Sequence, residues 1–181
     1  MNTEGFRKLY WGFFFMLSFR IQGFDIIPNI VGYILFFIGA GMLASNSEYF
    51  SKARSFSIPM IPLSIFSIYE RPAEGGGIHL GGFWPLGALI SIASLVLTLL
   101  IVYNLFMGIK DMATAQERDD IYEEADKRWQ QYFMLQLAVV AGFILIIVPA
   151  LGIIYFLALF IASVTLILTI MGFMKRCGEN L

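Results

Sequence analysis

Few residues of this chain have types and spacings that could do chemistry, and they lie far apart. Arg20 and Asp25 flank the stretch Arg20-Ile21-Gln22-Gly23-Phe24-Asp25. Ionisable groups beside a membrane are costly and commonly functional, which makes this pair a candidate ligand or proton site at the outer mouth of a helical bundle. The structural alternative is that Asp25 charges the positive N-terminus of the next helix, while Arg20 pairs with it or snorkels to the surface. Gly87, Ser91, Ser94 and Thr98 form a small, weakly polar stripe on one predicted helix. Such a stripe either lets helices approach closely or lines a solute cavity. Arg20, Asp25, Ser91, Ser94 and Thr98 are therefore the candidate ligand-binding residues. Ser163, Thr165 and Thr169 add polarity to the last helix, and Asn104 and Gln136 stand at similar depth on neighbouring helices, where their amides could hydrogen-bond as helix glue.

The second group lies in one charged segment, Lys110–Gln131, with 4 basic and 7 acidic residues and neither glycine nor proline. It reads as a helix that prolongs its neighbours into the cytoplasm. Ile121, Ala125 and Trp129 fall on one face, and Glu123–Lys127 and Glu124–Arg128 are well-oriented i,i+4 pairs. Glu117, Asp120, Glu124 and Arg128 are the candidate partner-binding residues. Asp119-Asp120-Ile121-Tyr122-Glu123 also spells a DDxxE string. Paired carboxylates at that spacing can hold Mg²⁺ and through it a diphosphate, the logic of membrane prenyl-transfer enzymes. Those carry two such motifs and this chain has one, so a solvated charged helix is the preferred reading. A single histidine, His79, stands alone in a glycine-rich stretch, and a single cysteine, Cys177, follows Lys175 and Arg176. Together they exclude a disulfide framework, a thiolate cluster and a multi-histidine metal site. Cys177 is a free thiol or a palmitoylation site. GxSxG, HExxH, P-loop and dinucleotide motifs are absent, and neither cofactor nor metal is expected.

The elements that must position these residues are set by composition. Of the 181 residues 59% are hydrophobic and only 14% charged, with a net charge of -1. Soluble domains are about 45–50% apolar and about 25% charged, so the expected solvent is lipid and nucleic acid is excluded as a partner. A crossing helix takes about 20 apolar residues. Six segments qualify: 6–21, 26–45, 56–69, 83–109, 132–148 and 150–174. The first follows Arg7 and Lys8 but precedes no small-residue cleavage site, so it reads as a retained span rather than a signal peptide. The third is short and contains Pro59 and Pro62. Cytoplasmic flanks carry the excess of Lys and Arg. With six spans and the N-terminus inside, 10 basic residues fall inside and 2, Arg20 and Arg71, outside. Omitting the third span reduces this to 7 against 5 at best. The expected fold is all-α: a polytopic transmembrane bundle with both termini cytoplasmic. The second helix of each hairpin opens near a proline (Pro28, Pro85, Pro149), which reads as the ordinary first-turn preference or as a degenerate threefold repeat.

The stretch Phe24-Asp25-Ile26-Ile27-Pro28-Asn29-Ile30-Val31-Gly32-Tyr33-Ile34-Leu35, with Glu48-Tyr49-Phe50-Ser51-Lys52-Ala53-Arg54 after it, resembles uncharacterised small polytopic membrane proteins of Bacillus-like bacteria. The resemblance covers about the first third of the chain and implies a bacterial plasma membrane location. In size and span count the chain is also similar to the substrate-binding subunits of energy-coupling-factor vitamin transporters. Their small-residue docking motif is not found in the first helix, where bulky Phe13, Phe14, Phe15 and Met16 stand instead. The expected function is a non-enzymatic regulatory, sensing or assembly module with a membrane or cytoplasmic protein partner. The alternative is a transporter or substrate-binding subunit for a neutral or apolar solute.

Overall fold

A computed structural model describes residues 2–17, 20–21, 24–25, 29–65, 84–145 and 149–181. Its helices are α1 (Asn2–Phe15), α2 (Asn29–Leu43), α3 (Glu48–Ile65), α4 (Trp84–Ala115), α5 (Asp119–Leu145) and α6 (Pro149–Asn180). Between α1 and α2, β1 (Arg20–Ile21) and β2 (Phe24–Asp25) form a two-residue antiparallel ladder. His79, Arg71 and the glycine-rich connection before α4 lie outside the described residues, as does Pro28. Each helix packs on the next, and α6 returns to α1, closing a ring.

Two helical stretches, Leu89–Ala115 and Ile154–Asn180, are long and apolar enough to cross a membrane, and Asn29–Leu43 is a shorter apolar helix. Their outward faces are strongly apolar. Leu89, Ile92 and Val96 on α4, Met134 and Leu137 on α5, and Ile154, Leu157, Ile161 and Leu168 on α6 are each about half exposed or more. A monomeric soluble protein rarely displays so contiguous an apolar surface.

Aromatic rings fill the centre. Phe13 of α1 meets Phe36 of α2 edge-on at 5.0 Å between centroids, and Phe106 of α4 stacks with Phe173 of α6 at 6.2 Å. Phe106 also meets Phe13 at 6.3 Å, so aromatic rings of α1 and α4 meet across the ring of helices. Tyr33 of α2 and Thr98 of α4 share a buried hydrogen bond of 2.8 Å.

The tightest packing joins α1 to α2 and rests on four glycines. A Cβ at Gly39 would stand 2.9 Å from the Gly5 carbonyl oxygen, and one at Gly32 would stand 3.0 Å from that of Gly12. Gly5 and Gly12 are seven residues apart, as are Gly32 and Gly39. Seven residues are close to two helical turns, so each pair lies on one face, and antiparallel packing sets Gly5 against Gly39 and Gly12 against Gly32. With no side chain at these points, the two backbones approach directly, as in membrane helix pairs with small-residue faces.

Helix α3 starts at Glu48, well before the apolar run at residue 56. Ser47 caps it, its Oγ accepting from the Tyr49 N–H at 3.2 Å, and Glu48 places a carboxylate in the first turn. Phe50 and Ala53 are fully buried while Lys52 and Arg54 face outward, so this turn is amphipathic rather than a loop. Pro59 and Pro62 sit inside the helix without ending it.

The charged connection, expected as one helix, is two: α4 ends at Ala115, α5 starts at Asp119, and the chain turns sharply at 116–118. The Arg118 N–H bonds the Ala113 carbonyl at 2.9 Å, and the Glu117 N–H bonds that of Thr114 at 3.2 Å. This is a Schellman closure, with Glu117 at φ 55° in the left-handed position that glycine normally fills. Ile121 and Ala125 are buried and Trp129 packs against the core, the face that their four-residue spacing predicted.

Candidate functional site

The polar side chains gather where α1 begins, α2 ends, α4 turns into α5, and α6 ends. The Asn46 amide donates to the Asn2 side-chain oxygen at 3.0 Å, and the Asn2 amide donates to the Leu181 carbonyl at 3.1 Å. Thr3 donates to the Gly178 carbonyl at 3.0 Å, and Gln116 donates to that of Leu181 at 3.0 Å. Ser47 donates to the Asp111 carboxylate at 2.6 Å, joining the α2–α3 turn to α4. These bonds bring the four sequence-distant segments to one end of the bundle.

The ionic contacts on the α4–α5 tip divide into two kinds. Some are internal ties. The Lys110 ammonium donates to Asp126 at 2.6 Å and lies 4.5 Å from the Tyr122 ring centroid. Burial disfavours the Lys110 charge, but Asp126 and Tyr122 outweigh it and hold its pKa above the usual lysine value. Glu124 Oε1 accepts from Arg128 at 2.8 Å and from Arg176 of α6 at 2.5 Å, so one carboxylate clamps α5 to α6. Arg118 holds both Asp120 oxygens at 3.0 Å, which keeps the Asp120 carboxyl below its ordinary range. The other charges are left over: Glu117, Asp119, Glu123 and Lys127 are exposed, and no ion pair joins Glu123 to Lys127. Lys110, Tyr122, Glu123, Asp126, Lys127 and Gln130 line a shallow groove of about 280 Å³ along this tip.

The four partner candidates thus separate. Glu117 is exposed at the turn, Asp120 is held by Arg118, and Glu124 and Arg128 are half-buried in the α5–α6 clamp. Asp119 and Glu123 of the DDxxE string are both exposed, and no cluster of three metal-ligating side chains forms among the described residues.

The ligand candidates are not brought together. The ladder register sets Arg20 opposite Asp25 across β1 and β2, so the backbone itself pairs these positions. On α4, Ser91 is exposed, Ser94 is half-buried, and Thr98 is buried with its hydroxyl engaged by Tyr33. Among the described residues, nothing lies within 4 Å of a Cβ placed at Gly87. Asn104 and Gln136 do not pair: the buried Asn104 amide donates to the Leu100 carbonyl of its own helix at 2.7 Å. Thr165 and Thr169 likewise bond back to Ile161 and Thr165. Cys177 is fully buried, and burial foremost, with Glu124 nearby, pushes its thiol pKa up. A neutral, enclosed thiol is a poor acylation site.

The chain matches no known family model, no curated protein and no solved structure.

Proposed function

We propose that this chain crosses a bacterial plasma membrane six times, with the polar end of the bundle in the cytoplasm. There it serves as a non-enzymatic regulatory, sensing or assembly module that docks a protein partner on the α4–α5 tip. Three features support the membrane arrangement. Apolar side chains cover the outward faces of α4, α5 and α6. The described ends of alternate helices meet through the hydrogen bonds of Asn2, Ser47, Gln116 and Thr3. Ten of the twelve basic residues belong to the segments at that end, the asymmetry expected of a cytoplasmic face.

The observation that carries the docking reading is the division of charge on the tip. Lys110, Asp126, Glu124, Arg128 and Arg176 hold the helices in place, while Glu117, Asp119, Glu123 and Lys127 face outward without ion-pair partners. Glu117 keeps a carboxylate where glycine would relieve the backbone. Internal ties fix the geometry, and the remaining acidic excess offers a preorganised surface to a basic partner, where complementary charge governs encounter and specificity.

The test is native mass spectrometry of the protein extracted gently from its own membrane. The expected result is a stoichiometric protein partner, lost when Glu117, Asp119 and Glu123 are changed to Gln, Asn and Gln. Retention of every co-purifying protein by this variant, with the fold intact, would refute docking through the tip.

A further inference from the structure

We propose that a cavity between α1, α5 and α6 is a binding site for a neutral amphiphile: a molecule with an aliphatic body and one hydroxyl or carbonyl head. The cavity measures about 360 Å³ and is bounded by Met16 and Leu17 beyond the end of α1, by α5 from Tyr132 to Val139, and by α6 from Phe160 to Ile167. That size falls within the range of small-molecule pockets, about 300–1,000 Å³.

Its polar groups are few and incompletely used. The Tyr132 hydroxyl is fully buried and has no hydrogen-bond partner. The Gln136 carboxamide, one turn further on, sits beside that hydroxyl without closing a hydrogen bond to it. Ser163 lines the cavity from α6, and no hydrogen bond to its own helix is formed, in contrast to Thr165 and Thr169. A buried hydroxyl without a partner is penalised, and a phenylalanine in its place would avoid the penalty. Tyr132, Gln136 and Ser163 line the same space and supply its polar groups, and the Leu, Val, Ile and Phe side chains around them form an aliphatic wall. Among the described residues, no Asp, Glu, Lys, Arg or His lines the cavity. A charged ligand would therefore lie unpaired against a largely apolar wall, which is unfavourable. The inference is independent of docking at the tip, because it uses none of the tip residues.

The experiment uses the full chain purified in detergent and titrated with 1-decanol, decane or decanoate, with bound ligand read by native mass spectrometry. The expected result is saturable binding of one decanol per chain, with decane and decanoate at least about tenfold weaker. Tyr132→Phe and Ser163→Ala should each weaken decanol about fivefold to tenfold, the loss of one hydrogen bond, without lowering the melting temperature. Gln136→Leu provides an independent variant should Tyr132→Phe fail to fold. Equal retention of decanol and decane, unchanged binding in the variants, or a cavity found to hold only water bridging Tyr132 and Ser163 would overturn the proposal.

Discussion

The α1–α2 and α5–α6 hairpins solve the same packing problem in opposite ways. In α1–α2, glycines at two levels set backbone against backbone, and the Phe36 ring lies so close to Gly12 that a Cβ there would stand 2.6 Å away. In α5–α6 the helices are pinned at separated points. Glu124 bridges to Arg176 at the charged end, and the Tyr155 hydroxyl donates to the Ala138 carbonyl at 2.7 Å further along, beside Gly142. Between these pins a groove of about 610 Å³ stays open, lined by Leu135, Ala138, Leu159 and Ala162 among others. Where apolar attraction between helices gives little in lipid, close packing and polar hooks are the two available forces. The first hairpin uses packing along its length. The second uses hooks, and the space for a ligand lies on its side of the ring.

Substitutions can break this contrast. The largest expected effect is at Gly39. Gly39→Leu must displace the Gly5 carbonyl and the Leu9 side chain, and should destabilise the protein by about 3 kcal/mol in thermal unfolding. Gly172→Ala on α6, with open space around it, should cause no loss. Next is Glu124→Gln, which leaves Arg128 and Arg176 without their shared carboxylate. Glu124 and Arg128 keep 19% and 18% of their side-chain surface exposed and Arg176 56%, so solvent screening limits the loss to about 1–2 kcal/mol. A denaturation series should show it, with no effect on a Gly39 variant's α1–α2 defect beyond additivity. Glu117→Gly should raise stability by about 0.5–1 kcal/mol, because glycine takes the left-handed position without strain. The smallest effect is the Tyr33–Thr98 coupling. A double-mutant cycle with Tyr33→Phe and Thr98→Val should give about 0.6 kcal/mol, typical of a hydrogen bond between membrane helices.

Local rules account for what the sequence made legible. The charged connection contains no helix breaker, and the spacing of Ile121, Ala125 and Trp129 fixes its buried face. The same rules gave Glu123–Lys127 and Glu124–Arg128 equal weight, yet only the second pair forms. Glu124 faces α6 and receives Arg176, a partner 52 residues away that no local pattern announces. Glu123 and Lys127 face solvent, where such a pair contributes only a few tenths of a kcal/mol. Helix α3 began earlier than its hydropathy implied because charged Lys52 and Arg54 alternate with buried Phe50 and Ala53. An apolar window averages such a turn away, whereas its 3.6-residue period marks a helix. The α1–α2 glycines were legible as a matched seven-residue spacing. They were hidden among Phe13, Phe14, Phe15 and Met16, whose bulk argued against close approach when counted by composition. The fate of Ser91, Ser94 and Thr98 depended on which helix lies beside each turn of α4, and a single helix pattern does not contain that information.

The most direct test of the six-crossing arrangement is site-specific labelling in intact cells with a membrane-impermeant maleimide. Single cysteines would be placed at Glu117 and Gly76 in a Cys177→Ala background. The account predicts labelling of the Gly76 position from outside, and labelling of the Glu117 position only after the membrane is opened. Labelling of Glu117 in intact cells, or equal behaviour of the two positions, would contradict it.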